Sequence, residues 1–370
     1  MFNPFKFYIT NNHVLGHAGA ILQARQLGRE LYVGVHSDEE ILYNKGPPVM
    51  HLDERLTAVS ACKWSTQVVP SAPYVTSLDV MDEFGCKYVV HGDDITTDAN
   101  GEDCYQICKD LGRFVVVKRT PNISTTDLVG RMLLMGKSHL FPKLVKSGSS
   151  ILFSEDNLTR FNQYASDETG LGPRSAVFVQ YDDHFDQLVA PSSEIESKLK
   201  RIVYVDGGFD LFHPGHIELL KLLHERGEEL NAAVVVGLHE DQVINEYKGM
   251  NYPIMNLLER SLCVLQCRYV DAIVLGAPYK PTTKFLQELP GEVIKVFHGP
   301  TVLETDNVYA ETEDLFEEIG PHKYDEMNTA FIVDRVLQNK AAFEERQKKK
   351  GWKAEKERQL KEKEDQNSNS

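Results

Sequence analysis

Six short landmarks occur twice in this chain, in one order, and that repetition restricts its fold more than any other property of the sequence. Gly16-His17 returns as Gly215-His216, Val33-Gly34-Val35-His36 as Val236-Gly237-Leu238-His239, and Lys45-Gly46 as Lys248-Gly249. Glu54-Arg55 returns as Glu259-Arg260, Ala72-Pro73-Tyr74 as Ala277-Pro278-Tyr279, and His91-Gly92 as His298-Gly299. Their separation grows slowly along the chain, as a few loop insertions produce. Unrelated domains do not share six landmarks in sequence, so the chain is an internal duplication whose period is far too long for a solenoid. Its 370 residues suit two domains, each with its own core.

Strand and helix patterns alternate within each half. In the first, Phe5 to Ile9, Leu31 to Val35, Val68-Val69, Tyr88 to Val90 and Phe114 to Val117 have strand character. Helical patterns follow Gly16-His17 and Asp38, and cover Leu52 to Trp64, Ser77 to Phe84, Cys104 to Leu111 and Thr125 to Leu134. Such alternation predicts an α/β fold, a doubly wound, mostly parallel sheet of the Rossmann-like type in each half. The expected domains are 1–135 and 201–340. Between them, 136–200 is rich in Ser, Gly, Asp, Glu and Pro but keeps apolar fragments such as Val177-Phe178-Val179, which predicts an ordered connector. Residues 341–370 read as a charged helical tail whose large apolar residues, Phe343, Trp352 and Leu360, are too sparse for a membrane-binding face.

The most chemically informative stretch is Asp206-Gly207-Gly208-Phe209-Asp210-Leu211-Phe212-His213-Pro214-Gly215-His216. A strand (Arg201 to Val205), a Gly-rich turn and a helix start together make an anion site. Backbone N–H groups and the helix dipole favour negative charge there, and two imidazoles add hydrogen bonds to phosphate oxygens. In an open α/β sheet, ligands bind beyond the carboxyl ends of the strands, where several other landmarks fall. His17, Lys45 and Arg119 in the first half, with His213, His216 and Lys248 in the second, are therefore candidate catalytic groups. Ser124, Thr125 and Thr126 at a helix start, with Arg119 beside them, suit the β- and γ-phosphates of a nucleotide. Ordinary N-capping is the structural alternative for those hydroxyls. Chemistry at an α-phosphate asks little covalent work of a protein, so positioning and charge neutralisation dominate.

A net charge of −15 argues against broad nucleic-acid binding. No signal peptide and no apolar run long enough to span a bilayer is expected, which places the chain in the cytosol. The six cysteines lack C-x-x-C spacing, so reduced structural thiols are expected and no dedicated metal site.

With H-x-G-H, a Lys-Gly segment and R-T-x-x-I-S-T-T together, the chain resembles the cytidylyltransferase superfamily. The tandem arrangement resembles its ethanolamine-phosphate cytidylyltransferase family. The most specific parts are Val89-Val90-His91-Gly92-Asp93-Asp94-Ile95 and Ser124-Thr125-Thr126-Asp127-Leu128-Val129. That resemblance implies transfer of CMP from CTP to phosphoethanolamine, with pyrophosphate released and Mg²⁺ accompanying CTP. It makes the reaction the middle step of a route to phosphatidylethanolamine, in the cytosol or peripheral to the endoplasmic reticulum. By position it carries CTP contacts to Gly16, Thr120, Ser124, Thr125 and Thr126, and in the second half to Asp206, Gly208, Phe209, His298, Gly299, Asn328 and Thr329. Trp64, Tyr74, His91, Asp93 and Asp94 fall where the amino-alcohol phosphate is received. An aromatic wall and a carboxylate suit an ammonium group, although core packing explains Trp64 and Tyr74 equally well. The choline enzyme's single catalytic domain and membrane helix do not fit this chain. A homodimer is left open.

Each half departs from the family pattern. The first has Thr10 to Leu15 where D-G-x-F-D-x-x-H-x is expected, with Val14 in place of the first His and His13 one residue off. The second has Asn328-Thr329-Ala330 in place of Ser-Thr-Thr. Three readings follow: a misplaced start of an active enzyme, nucleotide binding by the second half with support from the first, or an impaired nucleotide-binding homologue or scaffold.

Overall fold

The computed structural model describes residues 6–11, 14–93, 95–118, 125–145, 151–181, 184–299 and 307–345, with backbone alone for 10, 11, 14–17, 125 and 126. The chain forms two compact units, one of Met1–Ser60, Trp64–Leu133 and Ile332–Ser370, the other of Ala61–Lys63 and Leu134–Phe331.

The first unit runs β1 (Lys6–Asn11), α1 (Val14–Gln26), β2 (Glu30–Val35), α2 (Asp38–Lys45), α3 (Leu52–Ala61), β3 (Gln67–Pro70), α4 (Leu78–Glu83), β4 (Cys86–Gly92), α5 (Gln106–Asp110), β5 (Phe114–Val117) and α6 (Thr125–Leu134). Its sheet has the order β3-β2-β1-β4-β5, every pair parallel, so the direction of winding reverses between β1 and β4. A crevice at that reversal is where such sheets bind ligands. Short polar signals set the helix limits. Ser37 accepts the Glu40 N–H at 3.2 Å to start α2, and Gly46 at φ 88° ends it. Ser77 caps α4 in the same way, so the helix expected from Ser77 begins one residue later. The helices expected over Leu52 to Trp64 and Cys104 to Leu111 are shorter, ending at Ala61 and starting at Gln106. Arg335 belongs to this unit and grips both oxygens of the buried Glu54 carboxylate, at 2.6 and 2.8 Å. Phe343, in the segment expected to be a solvated tail, is buried.

The second unit continues with α7 (Glu155–Tyr164), β6 (Ala176–Tyr181), β7 (His184–Val189), α8 (Ser193–Lys198), β8 (Arg201–Gly207), α9 (Pro214–Leu230), β9 (Ala233–Leu238), α10 (Asp241–Lys248), α11 (Leu257–Leu265), β10 (Ala272–Leu275), α12 (Thr283–Glu288), β11 (Glu292–His298) and β12 (Phe316–Glu318). The final helix, α13 (Thr329–Gln338), starts in this unit, and the division of the chain falls within it. The sheet order is β12-β11-β8-β9-β10-β6-β7. Its five strands β10-β9-β8-β11-β12 repeat the first sheet's β3-β2-β1-β4-β5. The connector adds β6, parallel to β10, and β7, antiparallel to β6. Apolar runs such as Ala-Val-Val-Val-Gly-Leu in β9 are buried throughout, as a sheet covered on both faces requires.

The duplication extends to single contacts. Gly34 faces Tyr8 and Ala72; Gly237 faces Tyr204 and Ala277. A Cβ on Gly237 would run into the Tyr204 hydroxyl and come within 2.8 Å of the Ala277 Cβ, so this close approach admits glycine alone. His36 Nδ1 lies 2.9 Å from the Ala72 carbonyl, and His239 Nδ1 lies 3.0 Å from that of Ala277. Gly237→Ala should destabilise this unit by about 1–3 kcal/mol, the usual cost of overpacking. Adding Tyr204→Phe, which removes the clashing oxygen, should restore part of the loss in urea unfolding curves. No loss in the single variant would show that the sheet relaxes around the contact.

Candidate active site: a phosphate loop between β8 and α9

The loop after β8 is held from below by side chains of its own unit. Asp210 is buried, and its carboxylate accepts the N–H groups of Ile254 at 2.8 Å, Met255 at 2.9 Å and Leu211 at 3.0 Å. Burial pushes its pKa up, and those amides pull it back. Phe209 and Leu211 both have φ of 49°, a left-handed backbone that folds the turn tightly. Gly215 packs against the Met327 and Tyr324 carbonyls, which a Cβ would approach to 2.8 and 2.9 Å. Gly208 faces Ile244, and Gly299 faces Leu219.

Two imidazoles sit at the start of α9 with ring centroids 3.8 Å apart. The His213 backbone N–H donates to His216 Nδ1 at 3.4 Å, which leaves Nε2 as the protonated, donating nitrogen of a neutral His216. His213 is buried, and among the described residues neither of its ring nitrogens has a hydrogen-bond partner. Burial pushes its pKa down to about 3, with Lys248 and His322 adding to the effect. Burial likewise holds His216 well below the usual histidine range. Both rings are therefore neutral at pH 7, and each offers one N–H without carrying charge. Lys248, exposed at the end of α10, supplies the positive charge that acts on both. Phe209 and Phe212 flank His216 at 5.0 and 5.8 Å.

Asp206, next to last in β8, accepts the Tyr309 hydroxyl at 2.8 Å, and the buried Tyr204 hydroxyl lies close enough to help hold its carboxylate. Burial pushes its pKa up to about 7. His298, at the end of β11, lies 5.6 Å from the Tyr309 ring, and burial lowers its pKa. Thr329 is turned inward, its hydroxyl donating to the Asp210 carbonyl at 3.2 Å, while exposed Asn328 accepts the Phe331 N–H at 3.0 Å. Both are thus engaged in starting α13 and tying it to the loop.

In the first unit, strand register identifies what replaces this loop. Thr10 lies opposite Gly34 as Asp206 lies opposite Gly237. Gly16 then follows Thr10 by six residues, whereas Gly215 follows Asp206 by nine. The first unit's connection is three residues too short to repeat the second. The side chains of His17, Thr125 and Thr126, and all of Asp94, Arg119, Thr120 and Ser124, lie outside the described residues; Gly16 is described by its backbone in α1. Lys45 Nζ lies 5.7 Å from the Tyr74 ring centroid, and His36 lies 5.1 Å from it. Tyr74 also belongs to a core cluster with Tyr8, Tyr32 and Met81. Trp64 is fully buried, with no face toward solvent. His91, at the end of β4, lies 3.3 Å from the Thr96 hydroxyl and 4.8 Å from the Tyr105 ring, and Asp93 is exposed.

Four supporting residues have no counterpart among the sequence-based site residues. Arg260 is fully buried and donates to the Gly208 carbonyl at 2.6 Å, the His239 carbonyl at 2.7 Å, Asp241 at 2.7 Å and the Met255 carbonyl at 3.1 Å. Arg55 makes the corresponding bonds to the His36 carbonyl, Asp38 and the Met50 carbonyl. The recurring Glu-Arg landmark was the available signal for both. Asp210 lies in the acidic turn that the sequence singles out, although its amide partners do not show there; Tyr309 gave no signal, since its role depends on a partner far along the chain.

A sequence profile of the cytidylyltransferase-like family matches residues 13–131 and 204–341. The chain is 40% identical to an ethanolamine-phosphate cytidylyltransferase of Dictyostelium discoideum, over 94% of each chain. It is also 40% identical to the protein of that name from Mus musculus, over 90% of this chain and 85% of that one. The match to choline-phosphate cytidylyltransferase A of Mus musculus, 38% identical, covers 32% of this chain and 33% of that one. Two profile matches on two sheets of one topology settle its membership: the chain belongs to the cytidylyltransferase-like family.

Proposed function

We propose that this chain transfers CMP from CTP to phosphoethanolamine, forming CDP-ethanolamine and pyrophosphate on the route to phosphatidylethanolamine. The observation that carries this reading is the near full-length likeness to ethanolamine-phosphate cytidylyltransferases, against one-third coverage by the choline type. A phosphate oxygen of phosphoethanolamine attacks the α-phosphorus of CTP as the bond to the bridging oxygen breaks, and pyrophosphate leaves with that electron pair. The attacking oxygen is already anionic, so no general base is needed. Neutral His213 and His216 suit this, since they donate N–H groups to phosphate oxygens and hold their protons throughout. Lys248 offsets the charge that builds between attacking and leaving groups.

Mg²⁺ enters this reading on the triphosphate, where it neutralises charge. Among the described residues no three His, Cys, Asp or Glu side chains cluster to hold an ion, so in this reading the triphosphate itself carries it. Among the described residues no helix is long and apolar enough to cross a membrane. The reading places the reaction in the cytosol, peripheral to the endoplasmic reticulum. A second reading, nucleotide binding without turnover, is favoured by the shortened connection after β1.

One assay separates these readings. The purified chain with MgCTP is expected to release pyrophosphate with phosphoethanolamine at least tenfold faster than with choline or glycerol phosphate. Equal turnover of all three would overturn the substrate assignment, and tight CTP binding with no pyrophosphate released would establish the second reading. The raised pKa of Asp206 gives a separate test. Its carboxyl is mostly neutral at pH 6 and anionic at pH 8, where it repels a triphosphate. CTP affinity should therefore fall several-fold between these values in the wild type relative to Asp206→Asn, which corrects for titration of CTP itself. Parallel profiles would remove Asp206 from the nucleotide site.

A further inference from the structure

Cys62 and Cys267 face each other across an isolated antiparallel bridge within the second unit. The Lys63 N–H donates to the Gln266 carbonyl at 3.0 Å and the Arg268 N–H to the Ala61 carbonyl at 2.9 Å. These bonds flank the cysteines without joining them, which makes Cys62 and Cys267 a non-hydrogen-bonded pair. In such a pair the Cα atoms lie about 4.5 Å apart and the side chains leave on one face. Disulfides span Cα separations of about 4.4–6.8 Å. The register is pinned on both sides. Arg268 Nη2 donates to the Cys62 carbonyl at 2.8 Å, and Lys63 Nζ donates to the Tyr164 carbonyl at 2.7 Å. Cys263, the nearest other cysteine in sequence to Cys267, is committed to α11.

We propose that Cys62 and Cys267 are a latent disulfide site, closed by a peroxide-class oxidant. One thiol takes an oxygen from the peroxide to give a sulfenic acid and water. The second thiol's sulfur then attacks that sulfur, an S–S bond forms, and a second water leaves with the thiol proton. The two electrons lost by the sulfurs reduce one peroxide. Both residues are buried, so a water-sized oxidant suits the site and a bulky disulfide reagent does not. Burial pushes the Cys267 thiol up to about 12, which makes the reaction slow. A hydrogen bond from the Tyr269 backbone and the Arg268 guanidinium oppose this push, while burial lowers the pKa of the Lys63 ammonium itself to about 7. Once made, the bond closes a loop of roughly 200 residues and restricts the unfolded chain.

The test uses the full chain and hydrogen peroxide, continued until exposed methionines are oxidised. The protein is then denatured in an alkylating reagent and digested without reduction. A peptide pair joining Cys62 to Cys267, lost on thiol reduction and absent from Cys62→Ser, is the expected product. Oxidation should raise the thermal midpoint of the wild type and leave that of Cys62→Ser unraised. Recovery of both cysteines alkylated, or separately as sulfinic acids, would overturn the proposal, as would Cys62 joined to any other cysteine.

Discussion

The second unit depends most on one buried guanidinium. Arg260 has no exposure to solvent, and a charge in that position survives only when its donors are met. They are met by the carbonyls of Gly208, His239 and Met255 and by the Asp241 carboxylate. These partners belong to the phosphate loop, the end of β9, the start of α10 and the segment before α11. One side chain therefore fixes, relative to one another, the elements that carry His213, His216 and Lys248. A lysine could not replace it, since a single ammonium lacks the planar fork that reaches several acceptors at once.

Around this point the site is built on neutrality. Deep burial leaves His213 and His216 uncharged and holds Asp206 near the middle of its titration at pH 7. In a chain of net charge −15 this loop thus offers N–H groups, a helix N-terminus and one nearby lysine, a set that suits an anion. The second carboxylate of the loop, Asp210, is spent on backbone amides, so it adds order without facing the ligand.

Much of the architecture was legible because the landmarks are strand ends and turns, which a duplicated fold repeats. Phe114 to Val117 and Thr125 to Leu134 match the observed elements at both ends, since polar or glycine-containing segments bound them. Residues 136–200 were harder to read, because β6 is stabilised by pairing with β10 about a hundred residues away. The same distance hid much of the site's support. His213 and His216 announce themselves by spacing, but Tyr309 reaches Asp206 across 103 positions, and Asp210 is defined by Ile254 and Met255. Thr329 matched a nucleotide-binding position by alignment; its hydroxyl is bonded to the Asp210 carbonyl, a partner that only folding supplies. Thr10 shows the reverse case, where strand register turned a vague mismatch into a connection of defined length.

The proposal that CTP phosphates bind at the loop between β8 and α9 requires Arg260 to hold that loop in place. Calorimetric titration of CTP into the wild type and Arg260→Lys, with circular dichroism to verify that both remain folded, tests it most directly. The account predicts at least a tenfold loss of affinity in the folded variant. Equal affinity in the two proteins would contradict it.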